Sequence, residues 1–127
     1  MANILIIDDD PAVRDYLAAL VTRLHHKSMV ASTCAEGLKH MATPEVQIII
    51  ADIYLPDMSS PTEWIGQLKT HAAKRPLILI TGEPSEELAL KNHGNDILAF
   101  LTKPFELAFI KNLLTQATAS LPPEAIT

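Results

Sequence analysis

Apolar positions along this chain fall into two patterns: short unbroken runs, and stretches that repeat every three or four residues. "NILII" (3–7) is such a run, and Val13, Tyr16, Leu17, Leu20, Val21 and Leu24 follow it at helical spacing. Together they predict a strand and an amphipathic helix. "SMVAS" (28–32) predicts a weaker second strand ahead of a short helix near 35–41, and "VQIIIADI" (46–53) predicts the most fully buried strand. Pro56, Ser59, Ser60 and Pro61 mark a loop. A helix over 62–73, a strand "PLILIT" (76–81), a helix near 85–93, a strand "ILAFLT" (97–102) and a last helix over 104–119 complete the order. The tail "LPPEAIT" has no period.

Five strands alternating with five helices predict βαβ crossovers, hence an α/β fold: a doubly wound, five-stranded parallel sheet with helices on both faces. In such sheets the functional crevice lies beyond the carboxyl ends of the strands. The residues to weigh are therefore Asp8, Asp9 and Asp10 after the first strand, Asp52 after the third, Thr81 after the fourth and Lys103 after the fifth.

Composition narrows the partners. At 127 residues the chain suits one domain, expected over 1–119 with 120–127 as a tail or the start of a linker. A net charge of -5 gives no basic face for phosphate backbones, so no direct nucleic-acid partner is expected. The longest apolar runs are far shorter than the roughly 18 residues that span a bilayer, and no signal-peptide pattern precedes the first strand. The expected location is the cytoplasm, without a membrane partner. Cys34, the single cysteine, reads as a plain buried thiol. His25, His26, His40, His71 and His93 are scattered, and adjacent helical residues point about 100° apart, so His25 and His26 do not make a ligand pair. Trp64 and Met58 are expected to pack in the core or the loop.

The strand ends carry the chemistry. Asp10 precedes Pro11, the pattern of an N-cap followed by proline at the first helical position. That leaves Asp8 and Asp9 facing Asp52. Three clustered carboxylates must bind a cation or protonate one member, and hard oxygen ligands that leave room for water suit Mg²⁺. Beside Mg²⁺ one carboxylate can act as a nucleophile toward a phosphoryl group and form an aspartyl-phosphate. Such transfer needs positioning and charge neutralisation, which the Lys103 ammonium and the Thr81 hydroxyl can supply. The plain alternative is an acidic surface patch, and the third Asp, the Thr and the Lys at strand ends weigh against it.

"ILIIDDDPAVR", "IIIADIYLPDMS", "LILITG" and "FLTKPFEL" resemble, in order and spacing, the signature segments of the response regulator receiver domain of two-component signalling, over about residues 3 to 117. The resemblance implies a flavodoxin-like (β/α)5 fold with strand order 2-1-3-4-5. It implies Asp52 as phosphoacceptor, Asp9 as a direct Mg²⁺ ligand, Asp8 as a second acidic residue holding the metal, and the main-chain carbonyl of Tyr54 as a further ligand. Thr81 and Lys103 would bind phosphoryl oxygens, and Phe100 would be the aromatic switch that moves with Thr81. The Lys103-Pro104 bond is expected to be cis. A sensor histidine kinase or phosphotransfer protein would be the donor. The face of the fourth helix, fifth strand and fifth helix would meet partners or form a homodimer. The domain would be regulatory, catalysing only its own phosphotransfer and dephosphorylation.

The chain also departs from the family pattern. Ser60 stands where the family usually has Gly, with Pro61 after it, so a rearranged loop is expected there. The segment 94–100 is about two residues longer than usual, and Tyr54 and Glu83 occupy positions that tune phosphate lifetime in the family. Two other readings compete. "IIDDDPA" also fits the DxD motif of haloacid-dehalogenase-like phosphatases, with Asp8 as nucleophile and Asp10 as acid, but nothing after Lys103 supplies their further acidic pair and Asp52 would have no role. A receiver-like module that works without phosphorylation is the second, and no acidic or Lys position is missing to favour it.

Overall fold

The computed structural model describes residues 2–58, 60–81, 97–102, 107–119 and 121, with the side chains of Thr81 and Leu107 outside that description. Its elements run β1 (Asn3–Ile7), α1 (Pro11–Arg23), β2 (Lys27–Ala31), α2 (Cys34–Met41), β3 (Ile48–Asp52), α3 (Pro61–Ala72), β4 (Leu77–Thr81), β5 (Ala99–Thr102) and a last helix, Leu107–Ala119. The five strands form one parallel sheet in the order β2-β1-β3-β4-β5, the order that the family resemblance implied.

The unbroken apolar runs have a direct cause. Successive strand residues point to opposite faces, and here both faces are covered. Leu5, Ile7, Ile49, Ala51, Leu77 and Leu79 pack toward α2 and α3, where Trp64, Ile65 and Leu68 meet them. Ile4, Ile6, Ile48, Ile50, Ile78 and Ile80 pack on the other side, against Leu17 and Val21 of α1 and Ile110 and Leu114 of the last helix.

Several element ends differ from the sequence reading; β4 begins at Leu77 rather than 76, and β5 at Ala99 rather than 97. β2 starts one residue early, because its register on β1 pairs Asn3 with Lys27 and Ile7 with Ala31. As an edge strand it leaves Val30 45% exposed, which blurs its pattern. β3 is shorter than 46–53 and ends at Asp52. Pro61 is not loop: Ser60 caps α3, its hydroxyl accepting Glu63 N–H at 3.2 Å, and Pro61 is the first helical residue, where a missing N–H is harmless. α2 begins at Cys34, capped by Thr33.

The rim at the amino ends of the strands is tied by Arg75. Its guanidinium donates to the carbonyls of Met41 (2.8 Å), Val46 (2.9 Å), Ala72 (2.8 Å) and His71 (2.6 Å), and to Thr43 at 3.3 Å. These donors satisfy carbonyls that α2 and α3 leave open at their carboxyl ends. His26 is likewise structural, its Nδ1 accepting Ala2 N–H at 3.0 Å. Among the described residues, no helix is long and apolar enough to cross a membrane. The predicted helix near 85–93 and the tail after Leu121 lie outside the described residues.

Candidate functional site

β1 and β3 are neighbours in the sheet, with Ile7 beside Ala51, so Asp8 and Asp52 leave adjacent strands side by side. Each turns the chain out of its strand in the same way. Asp8 Oδ1 accepts Asp10 N–H at 2.9 Å, and Asp52 Oδ1 accepts Tyr54 N–H at 2.8 Å, the i to i+2 bond that Asp favours at turns. Both aspartates are buried, at 1% and 4% exposure. Asp9 is exposed.

The main chain on each side is held as well. Asp8 N–H donates to Ala31 O at 3.0 Å, and the Arg14 guanidinium donates to Asp8 O at 2.8 Å. Ile53 N–H donates to Ile80 O at 3.0 Å, and the Trp64 indole N–H donates to Asp52 O at 3.0 Å.

Carboxylate oxygens of Asp8, Asp9 and Asp52, one from each, all lie within 4.8 Å of one another. If all three are ionised, each pair repels by roughly 3.5 kcal/mol or more at an effective dielectric near 20. Three hard oxygen donors open to solvent on the Asp9 side match what Mg²⁺ takes from proteins, namely a few carboxylates with water in the remaining positions. The donor set fits that ion. Asp10 stands apart: its Oδ1 accepts Ala12 N–H at 2.9 Å and caps α1, as its sequence context predicts. The phosphatase reading, which needs Asp10 as an acid, finds that carboxylate turned to its own helix.

Next to the carboxylates in the chain, Tyr54, whose N–H Asp52 accepts, is 43% exposed. Thr81 ends β4 opposite Thr102, the last residue of β5. Phe100 pairs with Leu79 and packs, half-buried, on the α2–α3 side. Lys103, Glu83, the 94–96 part of the long loop and the Lys103-Pro104 bond lie outside the described residues. Trp64 and Met58 pack as expected, Trp64 fully buried and Met58 partly. Two contacts at the site have no signature in the sequence: the Trp64 indole on Asp52 O, and the Asp57 carboxylate, which accepts the N–H groups of Cys34 and Ala35. Their spacings, 12 and 22 to 23 residues, match no local turn or helix rule.

Residues 4–115 match the response regulator receiver domain. The chain belongs to that family. The heme response regulator HssR of Staphylococcus saprophyticus is 28% identical over 124 residues, 95% of this chain and 52% of its own, so the receiver domain spans about half of that relative. The CheY-like receiver domain protein of Methanospirillum hungatei shares the fold with a TM-score of 0.82 at 24% identity, covering 94% of this chain and 95% of that one. A response regulator of Burkholderia pseudomallei, solved with a phosphorylated aspartic acid, calcium ion and citrate, has a TM-score of 0.78 at 24% identity, over 94% of this chain and 70% of that one. The protein is thus a receiver domain of two-component response regulators, with a regulatory role in signalling.

Proposed function

We propose that this receiver domain accepts a phosphoryl group on Asp52 with Mg²⁺ bound beside it. The observation that carries the reading is the approach of the Asp8, Asp9 and Asp52 carboxylates within 4.8 Å at the carboxyl ends of two adjacent central strands. Asp8, Asp9 and Asp52 would hold the ion, with the main-chain carbonyl of Tyr54 as a further ligand. When bound, Mg²⁺ supplies charge neutralisation for the carboxylates and for the phosphoryl oxygens. The Burkholderia regulator, which carries both a phosphorylated aspartic acid and a divalent cation on the same fold, supports this chemistry.

The donor is a phosphohistidine of a sensor histidine kinase or phosphotransfer protein. An Asp52 oxygen attacks phosphorus and forms the O–P bond, while the P–N bond breaks and the leaving imidazole nitrogen keeps its electron pair and takes up a proton. Thr81 and Lys103 then bind phosphoryl oxygens, and Phe100 changes rotamer with Thr81. The phosphorylated side chain carries about -1.5 to -2 where the carboxylate carried -1, and this change biases the face made by the helix predicted near 85–93, β5 and the last helix, through which the domain meets partners or a second copy. Residues 1–119 act as the switching unit, 120–127 as the tail or start of a linker, and the cytoplasm is the compartment of this exchange. Its chemistry is confined to its own phosphotransfer and dephosphorylation.

Incubation with acetyl phosphate and Mg²⁺, followed by intact-mass measurement, tests this. The parent is expected to gain one phosphoryl mass and Asp52→Asn none. A stable adduct on Asp52→Asn, or none on the parent with Mg²⁺ present, overturns the assignment.

A further inference from the structure

Trp64 is the only tryptophan of the chain, it is fully buried, and its one polar atom is spent on the acceptor strand. A buried indole N–H needs a partner, and a carbonyl at the end of a strand needs a donor once the ladder stops. Here each answers the other. Ile53 N–H is held by Ile80 O at 3.0 Å, so the peptide unit joining Asp52 to Ile53 is fastened at both ends, its carbonyl to α3 and its N–H to β4. The next peptide N–H, that of Tyr54, is the one the Asp52 carboxylate accepts. The orientation of the carboxylate thus depends, through two consecutive peptide units, on the plane that the indole fixes.

The geometry points to Trp64 as a positioning residue for Asp52, its indole N–H holding the acceptor's peptide in the orientation that presents the carboxylate to the phosphoryl donor. The inference rests on Asp52 being the acceptor. Trp64 reaches Asp52 through its main-chain carbonyl, and the role assigned to it is exerted through that main chain. A loose acceptor loses rate because group transfer depends steeply on alignment, with a displacement of about 1 Å able to cost on the order of 100-fold.

The test uses the full chain in three forms besides the parent. Trp64→Phe removes the N–H together with part of the ring. Benzothienylalanine in place of Trp64 keeps the bicyclic shape and removes the N–H alone. Leu68→Val, on the same helix and equally buried, loosens the core and changes no hydrogen-bonding group. The first readout is amide hydrogen exchange at Tyr54 and Ile53, which does not depend on phosphorylation. The second is the rate constant for acetyl phosphate at saturating donor and Mg²⁺, compared with the donor concentration at half-maximal rate. With benzothienylalanine, exchange at Tyr54 is expected to quicken by about 10-fold or more, and the saturated rate to fall by about 10-fold with the half-saturating concentration little changed. Leu68→Val should leave both near the parent. Parental exchange and rate in the benzothienylalanine protein overturn the positioning role, as does an equal loss in Leu68→Val. A parent that takes no phosphoryl group instead overturns the acceptor assignment, and the exchange readout still decides whether the indole fixes the Asp52 peptide.

Discussion

Asp57 holds the first turn of α2 from outside that helix: its Oδ1 accepts Cys34 N–H at 2.8 Å, and its Oδ2 accepts the next N–H, that of Ala35, at 3.1 Å. The loop after β3 is thereby fastened to the start of α2. Asp57→Ala removes an acceptor from two open helix N–H groups, and a loss of about 1 kcal/mol in urea unfolding is expected. Partial desolvation pushes the Asp57 carboxyl up, but hydrogen bonds from Cys34 and Ala35 outweigh it and hold the group below the usual carboxylate range. A depressed carboxyl contributes stability above its unfolded value, about 3.9, and loses it as pH falls through the folded value. The gap between parent and Asp57→Ala should therefore be full at pH 6 and shrink below pH 4.

The same contact silences a thiol. Burial first, and the Asp57 carboxylate second, push Cys34 up to about 12. At pH 8 about one molecule in ten thousand carries the thiolate that alkylation requires. Iodoacetamide should label the folded protein at least about 100-fold more slowly than the urea-unfolded chain, and Asp57→Ala should narrow that ratio.

Two helical glycines should respond in opposite directions. A Cβ on Gly37 would lie 2.5 Å from Ile7 Cδ1 and 3.1 Å from its Cγ1, and Ile7 is itself buried in the core. Rotation of the methyl end relieves only the first clash. Gly37→Ala is expected to lose about 1 kcal/mol, overpacking exceeding the gain in helix propensity. Gly66 is exposed in α3 with nothing within 4 Å of a new Cβ, so Gly66→Ala should gain about 0.5 to 1 kcal/mol. Urea midpoints of the two variants read the signs directly.

His26 predicts a slope in acid. Desolvation by burial, then nearby positive charge including His25, lower its pKa from the usual 6.5. Its Nδ1 accepts the Ala2 N–H, a bond the imidazolium cannot make. The folded state thus binds fewer protons, so this contribution is complete above about pH 6.5 and is lost as pH falls below it. Melting temperatures of parent and His26→Gln, compared from pH 7.5 to 5, should converge toward the acid end.

Mg²⁺ should stabilise the parent through its three carboxylates. A ligand at 100 times its dissociation constant raises stability by about 2.7 kcal/mol when it binds only the folded state. Asp52→Asn removes one donor and one repelling charge, so it is expected to melt higher than the parent without Mg²⁺ and to gain less when the ion is added. An equal shift in both proteins counts against Asp52 as a ligand.

What the sequence made legible was whatever depends on local pattern or on the ends of strands. Both-sided burial produced the unbroken Ile and Leu runs of β1, β3 and β4, and the acidic cluster followed from where those runs stop. Asp10 as a cap followed from the proline behind it. Pro61 misled because proline punctuates loops and opens helices alike, and only the Ser60 hydroxyl on Glu63 N–H separates the two cases. Trp64, Asp57 and Arg75 were silent for a common reason. Their partners are main-chain atoms, which every residue carries, so no residue type in the sequence marks the other end of the bond.

Arg75 also decides where this molecule can be opened. Carbonyls from the ends of α2 and α3 and from Val46 converge on one guanidinium, at the rim opposite the carboxylates. New chain ends or a guest domain inserted between residues 42 and 46, or between 73 and 75, would strip that side chain of its acceptors. Circular permutants and fusions are better joined elsewhere, because a break at this rim leaves five carbonyls without their shared donor at once.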